Sequence, residues 1–124
     1  MELNITHVQI PDHLDGEGGY QTSSEHWDNS TLFESVKDLG EFDLPLCVIN
    51  ISHTPWDMDN FRWMLYHLKR IEKCDFKYPV ILSPDGRIID GWHRVAKAIM
   101  DNKLTIKAVR LNVMPESDRI INKE

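Results

Sequence analysis

The chain has 124 residues, 41% of them hydrophobic and 27% charged, which fits one globular domain and not a disordered or fibrous chain. No apolar run approaches the roughly 20 residues that cross a bilayer, and the first residues lack the basic-then-apolar order of a signal peptide, so a cytoplasmic protein with no membrane partner is expected. The net charge of −6 is unevenly spread: residues 1–61 hold twelve acidic residues and one basic, residues 62–110 eleven basic and five acidic. Either the two halves dock on each other or the basic half meets an external anion.

Residues 3–10, LNITHVQI, read as a strand. Residues 11–30 are polar and turn-rich and read as a long loop. The Gly16-Glu17-Gly18-Gly19 run inside it lacks the preceding strand and following helix of a phosphate cradle. Thr31 and Glu34 have capping-box spacing and Gly40 the place of a C′ glycine, which predicts a helix over 32–39 that buries Phe33, Val36 and Leu39. LPLCVINI, 44–51, predicts a buried strand. Thr54 as N-cap and Pro55 at the first helical position start a helical pattern that runs from about Pro55 to Lys73, with the place of residues 56–60 in it left open. Its apolar face carries Phe61, Met64, Leu65, Leu68 and Ile71, with Arg62, Lys69, Arg70 and Lys73 opposite.

Residues 79–82 and 87–89 flank Ser83-Pro84-Asp85-Gly86, a proline-to-glycine turn that predicts a β-hairpin. Asp90-Gly91-Trp92-His93-Arg94 follows at once and opens a helix that ends near Asn102. Residues 105–111, TIKAVRL, read as a last strand, and those from Met114 onward as a tail or short helix. Cys47 and Cys74 are far apart and the six histidines scattered, so neither a disulfide framework nor a zinc site is expected.

The chemistry concentrates where the hairpin enters the next helix. Free N–H groups at a helix N-terminus point outward, glycine permits close approach, and the dipole favours an anion. His93 and Arg94 in that first turn oppose the dipole unless something negative compensates them, and Arg94 can fork onto two phosphate oxygens. The plainer alternative is that Asp90 caps the helix and pairs with Arg94 while Trp92 and His93 pack on the hairpin.

The unit of helix, hairpin, Asp-Gly-Trp-His-Arg, helix and strand, with YPVILSPDGRIIDGWHRVAKAIMDNKLTIKAVRL at 78–111, resembles the ParB/sulfiredoxin superfamily. It is most similar to the small standalone ParB-like proteins of phages and bacteria. The resemblance implies a single-domain α+β fold, a small mixed sheet flanked by helices. The core would span 44–111, with an acidic N-terminal extension, 1–43, packed on it and a C-terminal tail, 112–124.

In that superfamily the glycine-x-basic-basic turn binds nucleotide phosphates, ATP in sulfiredoxins and a free-serine kinase, CTP in chromosome-partitioning proteins. Carried over, Gly91, His93 and Arg94 would hold phosphates, joined by Arg70 and His67 from the preceding helix, with Trp92 stacking on the base. Asp90, His93 and Arg94 would be the catalytic set, and Asp90 would bind Mg²⁺ arriving with the nucleotide or orient an acceptor hydroxyl. Asp57, Asp59 and Asp85 are the candidates for a second carboxylate. His53 is a further cleft candidate, and Trp27, Trp56 and Trp63 are further stacking candidates. Trp92 stands where sulfiredoxins need cysteine, which excludes sulfinic acid reduction. No helix-turn-helix domain follows the module in this sequence, so centromere binding is not expected.

The residues together with the resemblance leave three functions open. The first is nucleotide binding with Mg²⁺-dependent hydrolysis or phosphoryl transfer. The second is a ParB-like nuclease or DNA-binding module that uses the basic half as its footprint. The third is a non-catalytic phage-type modulator that binds a host protein through its acidic half.

Overall fold

Side chains alternate across a strand, so a strand with large apolar residues at every position must be covered on both faces. Val80-Ile81-Leu82 is such a strand, and the fold is built around it. The computed structural model describes residues 5–11 and 18–121. Along the chain run β1 (Gly19–Gln21), β2 (Glu25–Asp28), α1 (Asn29–Val36), β3 (Phe42–Pro45), a 3₁₀ turn (Leu46–Val48), α2 (Phe61–Lys73), β4 (Val80–Leu82), β5 (Ile88–Asp90), α3 (Trp92–Met100), β6 (Thr105–Arg110) and β7 (Arg119–Ile120). The protein is an α+β fold with two sheets. Among the described residues no helix is long and apolar enough to cross a membrane.

The larger sheet has the order β3-β6-β4-β5. It is mixed: β4 pairs antiparallel with β5 and parallel with β6, and β6 antiparallel with β3. The β4–β5 hairpin closes as expected, with the Gly86 N–H donating to the Ser83 carbonyl (2.9 Å) and Gly86 at φ +89°. Because β6 returns parallel to β4, α3 must cross over the sheet between them. It buries Val95 and Ala98 against Val80, Leu82, Ile106 and Ala108 on one face. The opposite face, with Ile81, Ile89 and Val109, is covered by Trp27, Leu32 and Val36 from β2 and α1. Each of these side chains is under 10% exposed.

The N-terminal region departs from its reading. Residues 5–10 form no strand, and residues 3 and 4 lie outside the described part. The expected loop over 11–30 contains the β1–β2 hairpin, which pairs through β2 with β7, where a tail or short helix was expected. The Glu25↔Ile120 and His26↔Arg119 register sets strands of opposite chain ends side by side, a pairing that no local signal encodes.

The first helix runs three residues earlier than predicted, and the capping box does not form. Thr31 Oγ1 donates instead to Asp118 Oδ1 (2.9 Å), Glu34 pairs with Lys37, and Gly40 is not left-handed. The helix buries Leu32, completely, and Val36, while Phe33 is 50% exposed.

Two further expectations fail in the middle of the chain. The apolar run at 44–51 is not a buried strand: β3 ends at Pro45, the 3₁₀ turn follows, and Val48 and Ile51 are exposed. Proline at the end of an edge strand removes the donor that would extend the ladder. The second helix starts at Phe61 and not at Pro55, because the Asn60 side chain caps it by accepting from the Trp63 N–H (3.0 Å). Its orientation is also reversed. Tyr66 (1% exposed) and His67 (3%) face inward, whereas Phe61 (61%), Met64 (37%) and Leu68 (46%) face solvent.

Candidate functional site

Gly91 is the N-cap of α3 with φ +114°, and no side chain caps the helix. Only glycine fits here. A Cβ would come to 3.0 Å from both Val80 Cγ2 and Arg94 Nη2, and 3.3 Å from Val80 Cα. The Val95 N–H, donating to the Gly91 carbonyl (3.0 Å), is the first intrahelical bond of the turn. The N–H groups of Trp92, His93 and Arg94 before it have no helical acceptor.

This uncapped end forms one wall of a cleft of about 870 Å³. Asp90, Gly91, Trp92 and His93 line that wall, Arg70 enters from α2, and Arg87 from the end of the hairpin turn. His53 and Trp56, from the segment before α2, close another side, and Gly18, Gly19, Tyr20 and Gln21 supply the far wall. The glycine run of the N-terminal region therefore reaches the cleft through Gly18 and Gly19; Gly16 lies outside the described residues.

Among the described lining residues the charged side chains are Arg70, Arg87 and the carboxylate of Asp90, and Arg87 is paired with Asp85 (3.2 Å). The Asp90 carboxylate is already neutralised: Arg94 Nη2 donates to Asp90 Oδ2 (2.9 Å) and to the Pro79 carbonyl (3.2 Å). Both side chains of the pair are less than one fifth exposed. Arg94 does not line the cleft, and its Nε is buried without a hydrogen-bond partner. Of the plainer alternative, the pairing of Asp90 with Arg94 is seen and the capping by Asp90 is not, while Gly91, Trp92, His93 and Arg70 do converge on the cleft.

His67 lies behind the wall. Its Nδ1 is 3.0 Å from His93 Nε2, and the two rings stack at 5.3 Å between centroids. Trp56 stacks on both, at 4.3 Å from His93 and 4.7 Å from His67. Burial, then the positive charges of Arg70, His67 and Arg94, push His93 down to about 3, so it is a neutral imidazole near pH 7. Arg70 Nη1 donates to the Tyr66 hydroxyl (2.8 Å), which fixes the guanidinium at the cleft edge. His53 sets its ring edge-on to Trp92 at 4.9 Å.

The candidates for a second carboxylate do not reach the cleft. Asp85 accepts from Ser83 and pairs with Arg87 (3.2 Å) in the hairpin turn, and Asp57 and Asp59 lie next to each other outside the lining. Trp27 is buried in the core, its Nε1 donating to the Pro115 carbonyl (2.8 Å), and Trp63 does not line the cleft either. Lys69 and Lys73 border a smaller cavity of about 360 Å³ that shares Arg70 with the first.

Sequence reasoning missed Arg87 and the hairpin wall. It took Trp56 for a base-stacking candidate and not for the lid of a histidine pair. The exposed loop position of Arg87 gives no signal, but two histidines 26 residues apart can be asked whether their helices meet.

Among the described residues the one lining carboxylate, Asp90, is paired with Arg94, and no three His, Cys, Asp or Glu side chains converge on a metal site. Comparison with protein-family models, curated proteins and solved structures returns no match.

Proposed function

We propose that the protein binds a nucleotide in this cleft, in the manner of the ParB/sulfiredoxin-like proteins that its sequence resembles. The phosphates lie against the uncapped N-terminus of α3 and Arg70, with ATP and CTP the first candidates. The base stacks on Trp92 beside His53. One observation carries this reading: the uncapped N-terminus of α3 opens into a cleft lined by Arg70 and Arg87, in which, among the described residues, the one lining carboxylate, Asp90, is paired with Arg94. Such a wall attracts an anion through both the dipole and the side-chain charges. The order of hairpin, glycine turn, helix and parallel strand in a mixed sheet also supports the resemblance. Gly91 and His93 would contact phosphate, whereas Arg94 holds the turn in shape through Asp90.

The test is thermal unfolding with ATP, CTP, GTP, UTP and inorganic pyrophosphate, for the wild type and Arg70→Ala. A ligand at 100 times its Kd adds about 2.7 kcal/mol to stability, which is a clear rise in Tm. The expected result is a rise with at least one nucleotide, weakened in Arg70→Ala. No rise with any nucleotide, in a protein that melts cooperatively, would sink the reading.

A further inference from the structure

We propose that Gln21 reads the edge of the base in the cleft and that His26 decides what it reads for: an amino group when His26 is neutral, a carbonyl when it is charged. This rests on the nucleotide reading of the cleft. Gln21 lines the far wall, and His26, its register partner on β2, is buried beside it. The imidazole is held at both nitrogens: Nε2 is 3.0 Å from Asp28 Oδ1 and Nδ1 is 3.1 Å from Gln21 Oε1. A Cβ on Gly19 would come to 2.9 Å from ring atoms Cε1 and Nε2, so glycine at that position makes room for the ring between its two partners.

A carboxylate only accepts, so Nε2 carries a proton whenever it faces Asp28. An amide has a donating and an accepting end, and a half-turn about its last bond exchanges them. When Nδ1 is protonated it donates to the Gln21 oxygen, which faces it in the structure, and the amide NH₂ is the end left for the cleft. When Nδ1 is bare it accepts from that NH₂, and the oxygen is the end left. The proton on one ring nitrogen therefore sets whether Gln21 offers a donor or an acceptor.

The charged groups described around His26 are Asp28, Asp118 and Arg119. Asp28 follows it on the same face of β2, and Arg119 is its register partner on β7. The Asp118 N–H donates to the His26 carbonyl (2.9 Å), and its carboxylate accepts from the Asp28 N–H and Thr31. Near neutral pH none of the three exchanges donor for acceptor, so the contact to Gln21 is the one that inverts as the ring titrates. Adenine and cytosine carry an amino group where guanine and uracil carry a carbonyl. With its oxygen outward Gln21 accepts from the amino bases, and with its NH₂ outward it donates to the carbonyl bases. A rise in pH through the His26 titration therefore moves the preference from UTP and GTP toward CTP and ATP.

The experiment has two arms. Calorimetry gives the ratio of Kd values for CTP against UTP, and for ATP against inosine triphosphate, at about pH 5.5 and about pH 8, either side of an ordinary histidine. The titration of the triphosphate is common to each pair and cancels in the ratio. The expected result is a shift toward the amino base of about fivefold at the higher pH, the worth of one hydrogen bond. In Gln21→Ala, a change at an exposed position, the ratio should stay constant with pH. The second arm follows the His26 ring nitrogens of the free wild-type protein by NMR. Nδ1 alone should titrate, and the neutral form should be the Nε2–H tautomer.

Nucleotide binding with a ratio that does not move with pH overturns the part given to Gln21 and leaves the nucleotide reading intact. So does a moving ratio that survives Gln21→Ala. A neutral His26 that carries its proton on Nδ1 overturns the switch from the wild type alone, with no nucleotide present. No binding of any nucleotide overturns the cleft reading and the base reader together.

Discussion

Substitution of Asp90 by alanine isolates the role of the Asp90–Arg94 pair. The carboxylate and guanidinium are 18% and 17% exposed and 2.9 Å apart. Removing Asp90 leaves a buried guanidinium with only the Pro79 carbonyl at 3.2 Å and an Nε that already lacks a partner. Breaking a buried pair from one side costs about 3–5 kcal/mol, a large part of the roughly 5–15 kcal/mol that holds a domain folded. Replacing both charges, in Asp90→Ala/Arg94→Met, removes the stranded ion, so the double variant should be more stable than Asp90→Ala alone. The assay is urea unfolding of the wild type, both single variants and the double variant, with midpoint and slope compared. A cost for Asp90→Ala below about 1 kcal/mol, the range of exposed pairs, would refute the reasoning, as would simple additivity of the two single variants. The same result decides how ligand binding is read in Arg94 variants: with a buried structural pair, lost binding there reports a deformed turn, and Arg70→Ala is the cleaner probe.

Other expectations follow from the same geometry. Gly86→Ala and Gly91→Ala both place a side chain in a left-handed conformation, worth about 1–2 kcal/mol, but nothing lies within 4 Å of the Gly86 site whereas a Cβ at Gly91 meets Val80 at 3.0 Å. Gly91→Ala should therefore be the more destabilising by a further 1–3 kcal/mol or so, and equal effects on urea midpoints would count against the close packing. Leu32→Ala empties a fully buried site between α1 and the sheet and should cost about 2–5 kcal/mol; a cost near zero would mean that the N-terminal region is not part of the folded core. The Asp118 carboxylate accepts from the Asp28 N–H (2.8 Å) and from Thr31, which holds its proton affinity below the usual carboxylate range. A depressed carboxylate stabilises the fold above its unfolded pKa and loses that contribution as pH falls through the folded one. Wild type and Asp118→Asn should therefore converge in stability only below about pH 4, and parallel pH profiles would remove Asp118 from the acid response.

The segment from the hairpin to β6 was legible because its signals are local. Pro84 and Gly86 set a turn, β-branched residues set the strands, and Gly91 sets the break before a helix, each within a few residues. The reading of Thr31 and Glu34 failed for the converse reason. The capping-box pattern was present, but Asp118, some ninety residues away, offered Thr31 a different partner. The same distance hid β7, whose pairing with β2 exists only once both chain ends meet.

The site was legible as chemistry and not as geometry. Asp-Gly-Trp-His-Arg announced a charged helix start, yet its residues could be joined to each other or to a ligand, and only packing could choose. The sequence by itself determined the turn, the strand pattern of β4 and β6, and which faces of α2 are apolar and which polar. The tertiary structure decided which of those faces points inward, and it chose the one with Tyr66, His67 and Arg70, leaving Phe61 and Leu68 in solvent. Periodicity defines the faces of a helix but not its rotation about its own axis; that is fixed by what it packs against, here α3 with His93 waiting for His67.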